Sequence, residues 1–395
     1  MRKLMLATAA VAALSSGANA ADINIGVILG FTGPLESITP GMADAAELAM
    51  KEINDSGLLL DGATKLVPIR ADSTCVDAAA ATAAAERLVT SDNVAAIMGA
   101  DCSGVTTAIA SSVAIPNGVT MVSPSATSPA LTTLEDNGLF FRTAPSDARQ
   151  GAVMSDILIG KGVKSVAVTF TNNDYGKGFA DAFSASYLAA GGTITIQAAH
   201  EDGKADYSAE VGALAAAGGE LLVVLGYVDQ GGVGIIRSAV DTGAFTKFAL
   251  GDGMYGDSLI AAIGAGLEGS FGTLPAAEGA GNDAFVAVAA AVGMDPTGTY
   301  RAQSYDAAAL IAFAMQKGGN ADRATVAANL LDVANAPGEL ILPGELAKGL
   351  QILKDGGDID YVGATNVELI GPGEAAGSYR EYEVKGGAFE TVQYR

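Results

Sequence analysis

Short apolar runs alternate with longer helix-like stretches along most of this chain, and that alternation limits the fold more than any other feature. INIGVIL (23–29), LVPIRAD (66–72), VAAIMG (94–99) and VTMVSP (119–124) read as strands. Between them, GMADAAELAMKEIN (41–54), DAAAATAAAERLVT (77–90) and GVTTAIASSVAI (104–115) carry helical spacing. Short apolar strands separated by helices of 10–15 residues imply a parallel sheet covered on both faces. The fold class is therefore α/β.

The rhythm breaks at NGLFFRTAPSDARQG (137–151) and then restarts. Strands are expected at 164–171, 193–199, 221–227 and 247–253, with helices at 175–191, 207–218 and 231–243. A second doubly wound lobe follows. At 395 residues the chain also exceeds the size at which single cores divide. Beyond EGSFGTLPAAEG (268–279) come three helix-like stretches, 282–292, 304–316 and 323–333, with no strand between them. They cannot form a sheet alone and are expected to cover the first lobe. The tail 379–394 reads as a hairpin turning at Gly386-Gly387. The expected division is 21–142 plus 275–376 for lobe 1 and 143–274 plus 377–395 for lobe 2. Connections crossing between the lobes would form a hinge.

Residues 1–20 stand apart. Arg2 and Lys3 precede an apolar run, Leu4 to Leu14, and Ala18-Asn19-Ala20 forms an A-x-A cleavage pattern. This is the pattern of a secretory signal peptide cleaved near Ala20. The run is too short to span a bilayer, which takes about 20 apolar residues. A bacterial periplasm is the expected location. Loss of Arg2 and Lys3 takes the formal charge from −22 to −24. So acidic a chain lacks the clustered Lys and Arg that phosphate contacts require, so no nucleic-acid partner is expected.

Ligands of open parallel sheets bind beyond the carboxyl ends of the strands. The residues there are therefore the candidates: Asp101-Cys102-Ser103 and Ser123-Pro124-Ser125-Ala126-Thr127 in lobe 1, then Asn173-Asp174-Tyr175, Tyr227 and Asp252 in lobe 2. Ser103 and Thr127 offer hydroxyls where helices would start, suited to a carboxylate or simply to helix capping. Asp252 on the facing lobe would complement an ammonium group. Asp101 would cap its helix or meet a polar ligand side chain.

Cys75 and Cys102 are the two cysteines of an expected exported chain, and both follow neighbouring strands. A disulfide is expected. The alternative, a catalytic thiol, would want a histidine, and the one histidine, His200, falls in the other lobe and is expected at the surface. One histidine supports neither a hydrolytic triad nor a transition-metal site, so no enzyme activity, metal or cofactor is expected. GDGMYG (251–256) matches G-x-G-x-x-G, but no strand ending in a ribose-binding acid follows, and 51 glycines make chance matches common.

IGVILGFTGPL, AMKEIN, IMGADCSGVTTAIA, MVSPSATSPALT, FFRTAPSD, NNDYGKGFADAF, SYDAAALIAFAM and YREYEVKGGAF together resemble the type I periplasmic substrate-binding proteins of ATP-driven importers. The leucine/isoleucine/valine-binding branch is the most similar. The resemblance implies two α/β lobes joined by three crossovers, closing on a solute for delivery to a membrane permease, in a non-enzymatic protein expected to be a monomer. It implies that Ser103 holds a ligand carboxylate, that Ser125 and Thr127 supply a carbonyl and a hydroxyl, that Tyr175 and Tyr227 line the cleft and that Asp252 binds the α-ammonium. It also implies the Cys75–Cys102 bridge. An aliphatic amino acid is the expected ligand; an aromatic acid, amide or urea-like compound is the alternative. LESITPG (35–41) lacks the aromatic found in leucine-binding relatives, which leaves Ile38 or Thr39 to line the pocket.

Overall fold

The computed structural model describes residues 22–395; the signal peptide expected over 1–20 lies outside the described residues. Its first part runs β1 (Ile23–Leu29), α1 (Thr39–Ser56), β2 (Leu66–Asp72), α2 (Ala78–Thr90), β3 (Ala96–Gly99), α3 (Ser103–Ile109), β4 (Thr120–Ser123), β5 (Phe140–Arg142). The second part runs α4 (Asp147–Gly160), β6 (Ser165–Thr171), α5 (Asp174–Ala189), β7 (Thr193–His200), α6 (Ser208–Ala217), β8 (Leu221–Leu225), α7 (Gly231–Thr242), β9 (Phe248–Leu250), α8 (Asp257–Ile263), β10 (Phe271–Pro275). Then come α9 (Ala280–Ala291), α10 (Arg301–Gly318), α11 (Arg323–Ala334), β11 (Glu339–Ile341), α12 (Leu346–Lys354), β12 (Ile359–Tyr361), β13 (Leu369–Ile370), β14 (Glu374–Ala375), β15 (Tyr379–Lys385) and β16 (Ala388–Tyr394).

Fourteen of the strands form two seven-stranded sheets, ordered β13-β14-β5-β4-β3-β1-β2 and β16-β15-β10-β9-β8-β6-β7, and β11 and β12 pair separately. Each therefore repeats one plan: the chain starts in the interior, steps to one edge, then returns and continues the other way. The direction reverses between β1 and β3 and between β6 and β8. Such reversals open a crevice at the carboxyl ends of the strands, where ligands of α/β sheets bind. The chain passes between the sheets after β5, after β10 and between β14 and β15.

Burial explains the strand compositions. LLVVL of β8 is buried at all five positions, as a parallel strand covered on both faces should be. Local chemistry sets the helix starts: Asp77 accepts from the amides of Ala79 and Ala80 at 2.9 and 3.0 Å, and Asn173 accepts from Gly176 N at 3.0 Å. Gly176 must be glycine, because a Cβ there would collide with the Thr171 carbonyl. The β15–β16 hairpin turns at Gly386 and Gly387, both at positive φ (60° and 79°), as a two-residue primed turn requires. The late helix α10 packs on α1, and its neighbours join the core of the first lobe.

Several elements depart from the sequence-based expectation. Helix α4, strand β5 and strand β10 occupy segments that break the apolar rhythm. FFR of β5 is only three residues long, and β10 carries Gly272 and Pro275. The helix expected over 104–115 ends at Ile109 and continues as one wide turn and a short 3-10 turn at Ile115–Asn117. Pro116 has no N–H to extend an α-helical ladder.

Candidate ligand site between the lobes

Five strand ends bring the candidates together at the two reversal points. In the first lobe, Ser103 opens α3 directly after the β3 end, and its Oγ accepts the Ser128 amide at 3.1 Å. That bond ties the loop after β3 to the loop after β4. Ser125 adds a second tie, its hydroxyl donating to the Asp101 carbonyl at 3.0 Å. The Ala126 carbonyl accepts from Arg142 at 3.0 Å, and the same guanidinium nitrogen donates to the Ser128 carbonyl at 2.9 Å. Arg142 also pairs with Glu374, from β14 beside the third crossover. One buried cation thus fixes the 126–128 loop to the hinge side of the lobe.

Neither Ser103 nor Thr127 caps a helix. Cys102 is the residue before α3 and makes no side-chain cap, and Thr127 Oγ1 is buried with no hydrogen-bond partner. Asp101 does not cap α3 either. Its Oδ1 accepts from Gly30 N at 3.0 Å and Ser73 Oγ at 3.1 Å, which binds the ends of β1, β2 and β3 together. Burial raises its pKa, against those donors. Cys75 and Cys102 are joined in a disulfide beside it, Cα to Cα 5.2 Å, so neither is a free thiol.

In the second lobe, Tyr175 at the start of α5 stacks on Tyr227 after β8, with ring centroids 5.2 Å apart. Asn173 holds the Tyr227 hydroxyl at 3.4 Å. The Tyr175 hydroxyl donates to Asp252 Oδ1 at 2.9 Å and accepts from Gly253 N at 3.2 Å. Tyr300, at the start of α10, donates to the other oxygen, Asp252 Oδ2. Asp252 is 2% exposed. Burial raises its pKa, opposed by the Tyr300 and Tyr175 hydroxyls.

The lobes meet directly around this site. Ser128 Oγ donates to the Asp174 carbonyl at 3.1 Å, and Ser37 N donates to Asp229 Oδ2 at 2.9 Å. Asp229 N reaches the Pro34 carbonyl at 3.1 Å. The Ser103 and Thr127 hydroxyls thus belong to lobe 1, and Asp252 with the stacked Tyr175 and Tyr227 rings to lobe 2. Ile38 reaches across the gap to pack near Gly256 and Val228, whereas the Thr39 hydroxyl turns back to the Gly30 carbonyl at 2.8 Å.

Two residues absent from the sequence-based set stand beside these candidates. Tyr300 bonds Asp252 from the turn that opens α10. Asp147, the first residue of α4, is wholly buried near Thr127 and Asp252. A signal for α4 existed: Ser146 caps it, and Val153, Met154, Ile157 and Leu158 repeat at helical spacing. His200 also needs correcting. It is 1% exposed, with Nδ1 2.9 Å from the Thr169 hydroxyl, because the end of β7 lies under the glycines of the 226–231 loop. Burial lowers its pKa to about 4.

Comparisons with known proteins agree with this architecture. Residues 22–345 match the model of a family described as periplasmic binding protein. The chain is 30% identical to the leucine-, isoleucine-, valine-, threonine-, and alanine-binding protein of Pseudomonas aeruginosa, over 82% of this chain and 86% of that one. The crystal structure of a leucine-binding protein from Thermotoga maritima superimposes with a TM-score of 0.78 at 24% identity, covering 94% of this chain and 98% of that one. A solute-binding protein from R. palustris, in complex with 4-hydroxybenzoate, gives 0.75 at 18% identity, covering 95% and 97%. With the matched residues spanning most of the chain and two reversal-point lobes closed on a buried polar site, this chain belongs to the periplasmic binding protein family.

Proposed function

We propose that the chain is the periplasmic substrate-binding component of an ATP-driven importer, and that it carries a free amino acid with an aliphatic side chain to a membrane permease. The observation that supports this reading is a proximity across the lobes: Asp147, beside the buried Thr127 hydroxyl of lobe 1, feels the charge of Asp252 from lobe 2, and Ser103 ties the same loop of lobe 1 at Ser128. That polarity matches a zwitterion, carboxylate against hydroxyls and amides, ammonium against the acid. Ser125 and Ala126 shape the loop that presents Thr127. Tyr175 and Tyr227 form an aromatic wall that excludes water. Charge-assisted hydrogen bonds contribute about 1.5–3 kcal/mol each. A few of them reach the roughly −8 kcal/mol of micromolar binding. The names of the amino-acid-binding relatives support the same reading. In this role the protein acts as a monomer in the periplasm, binds no nucleic acid and performs no chemistry on its cargo.

A second reading keeps the fold and changes the cargo. The R. palustris relative was solved with an aromatic acid, and both Asp252 oxygens are already bonded to tyrosine hydroxyls. An acid lacking an amine would then suffice. A thermal-shift screen separates the two, because ligands bound only by the native state add about 2.7 kcal/mol at 100 times Kd. The amino-acid reading expects aliphatic amino acids to raise the melting temperature and benzoates, amides and urea to leave it unchanged. The reverse pattern overturns it.

A further inference from the structure

We propose that Asp147 is a second acidic partner of the ligand's ammonium group, which then sits between Asp147 and Asp252 with Thr127 as a third acceptor. The inference rests on the reading of the cargo as a free amino acid, and it narrows that class to primary amines.

Asp147 is among the least explained polar groups of the molecule. It is 0% exposed, and neither carboxylate oxygen has a hydrogen-bond partner among the described residues. A carboxylate taken out of water without donors is costly, and unpaired buried groups in native proteins call for a reason. The Thr127 hydroxyl oxygen and Gln150 Oε1 are likewise buried without partners. The backbone joins the same residues, since Asp147 N donates to the Thr127 carbonyl at 2.9 Å. Burial first, then the charge of Asp252, push the Asp147 carboxyl well above its ordinary range; the Thr127 hydroxyl, close by but outside hydrogen-bond geometry, and the charge of Arg142 oppose the shift. The nearby guanidinium of Arg142 is committed to two carbonyls, the Thr132 hydroxyl and Glu374. Tyr379 and Gln150 face the same region but bring no charge: Tyr379 donates to the Ser146 carbonyl, and the Gln150 amide donates to Thr273.

The chemistry of the unpaired atoms identifies what they fit. Each can accept, the Thr127 hydroxyl while its own proton goes to the ligand carboxylate, and among the described residues no free cation stands beside the two acids. A primary ammonium carries one positive charge and three donors, enough for Asp147, Thr127 and Asp252 together. Asp252 can accept it in addition to its tyrosines, because a carboxylate offers about four lone-pair sites. A hydroxyl in place of the amine would bring no charge, and a secondary amine would bring one donor fewer.

The competing role for Asp147 is purely structural, since an acid in a first helical turn favours the helix dipole. Calorimetric titration of wild type and Asp147→Asn with L-leucine and L-alanine, and with the 2-hydroxy analogue of leucine, separates the roles. Melting of the unliganded proteins completes the test. The proposal expects at least tenfold weaker amino-acid binding in D147N, hydroxy-acid binding within threefold of wild type, and an unliganded melting temperature equal or higher. Amino-acid affinity within threefold of wild type overturns the proposal and leaves the proposed function standing. So does a lower melting temperature with both ligand classes weakened alike, the signature of a structural role. A wild type that binds the hydroxy acid and neither amino acid overturns the amino-acid reading together with this assignment. Should D147N not fold, Asp147→Ser supplies the same comparison with a smaller helix-start residue.

Discussion

Replacing Thr127 by valine should move stability and binding in opposite directions. Thr127 is fully buried and its Oγ1 is unpaired within the protein. Valine keeps the β-branched shape and removes only the hydroxyl. A buried polar group without a partner costs about 1–3 kcal/mol. The unliganded variant should therefore be more stable by about that amount, and a domain of 150–250 residues gains about 2–4 °C per kcal/mol. The backbone contact survives, because it is the Thr127 carbonyl that accepts Asp147 N. Binding should weaken, because a hydrogen bond to a charged group contributes about 1.5–3 kcal/mol, about 10- to 150-fold in Kd. Thermal melts of the ligand-free protein and calorimetry with L-leucine read the two effects separately. An unliganded melting temperature that falls, or an affinity within threefold of wild type, would refute the reasoning, because either places the hydroxyl outside the ligand's reach or inside a structural bond.

Two further outcomes follow from the same structure. His200 has a folded pKa of about 4 against about 6.5 in an unfolded chain. Its contribution is complete above pH 6.5 and is lost as pH falls toward 4, about 3 kcal/mol in all. Asp306, buried against Tyr361 and Thr365, is raised to about 6, so its contribution is complete below about pH 4 and lost as pH rises through 6. The two oppose each other, and His200→Asn should become more stable relative to wild type as pH drops from 7 to 4 in urea melts; parallel pH profiles would contradict this. Removing both cysteines, Cys75→Ala with Cys102→Ala, opens a loop with a separation of 27 residues. The entropic model gives a loss of about 3.5 kcal/mol, and a urea-melt loss under about 1 kcal/mol would contradict it.

The fold was legible where burial is simple. Strands such as LLVVL, covered on both faces, and helices such as 41–54 with one apolar stripe announce themselves. What escaped were elements held by partners distant in sequence. FFR of β5 is a strand because β4 and β14 pair with it, and FGTLP of β10 because β9 and β15 do. The same limit governed the site. Ser103, Thr127, Tyr175, Tyr227 and Asp252 follow strand ends and could be placed by the sheet rule alone. Asp147 and Tyr300 lie at helix starts after crossovers, where only the closed three-dimensional path brings them to Asp252. Asp101 and His200 show the converse: a polar residue at a strand end is as readily a tie between neighbouring loops or a buried core partner as a group that faces a ligand.

The account turns on both ends of the cargo being held at once, and affinities for three compounds of one shape test that most directly. L-leucine, 3-methylbutylamine and 4-methylpentanoate share the side chain and differ only in the carboxylate and the amine. Losing either end forfeits two or more charge-assisted bonds at about 1.5–3 kcal/mol each, so each truncated compound should bind at least about 100-fold more weakly than leucine. Binding of either truncated compound within threefold of leucine would contradict the two-sided grip.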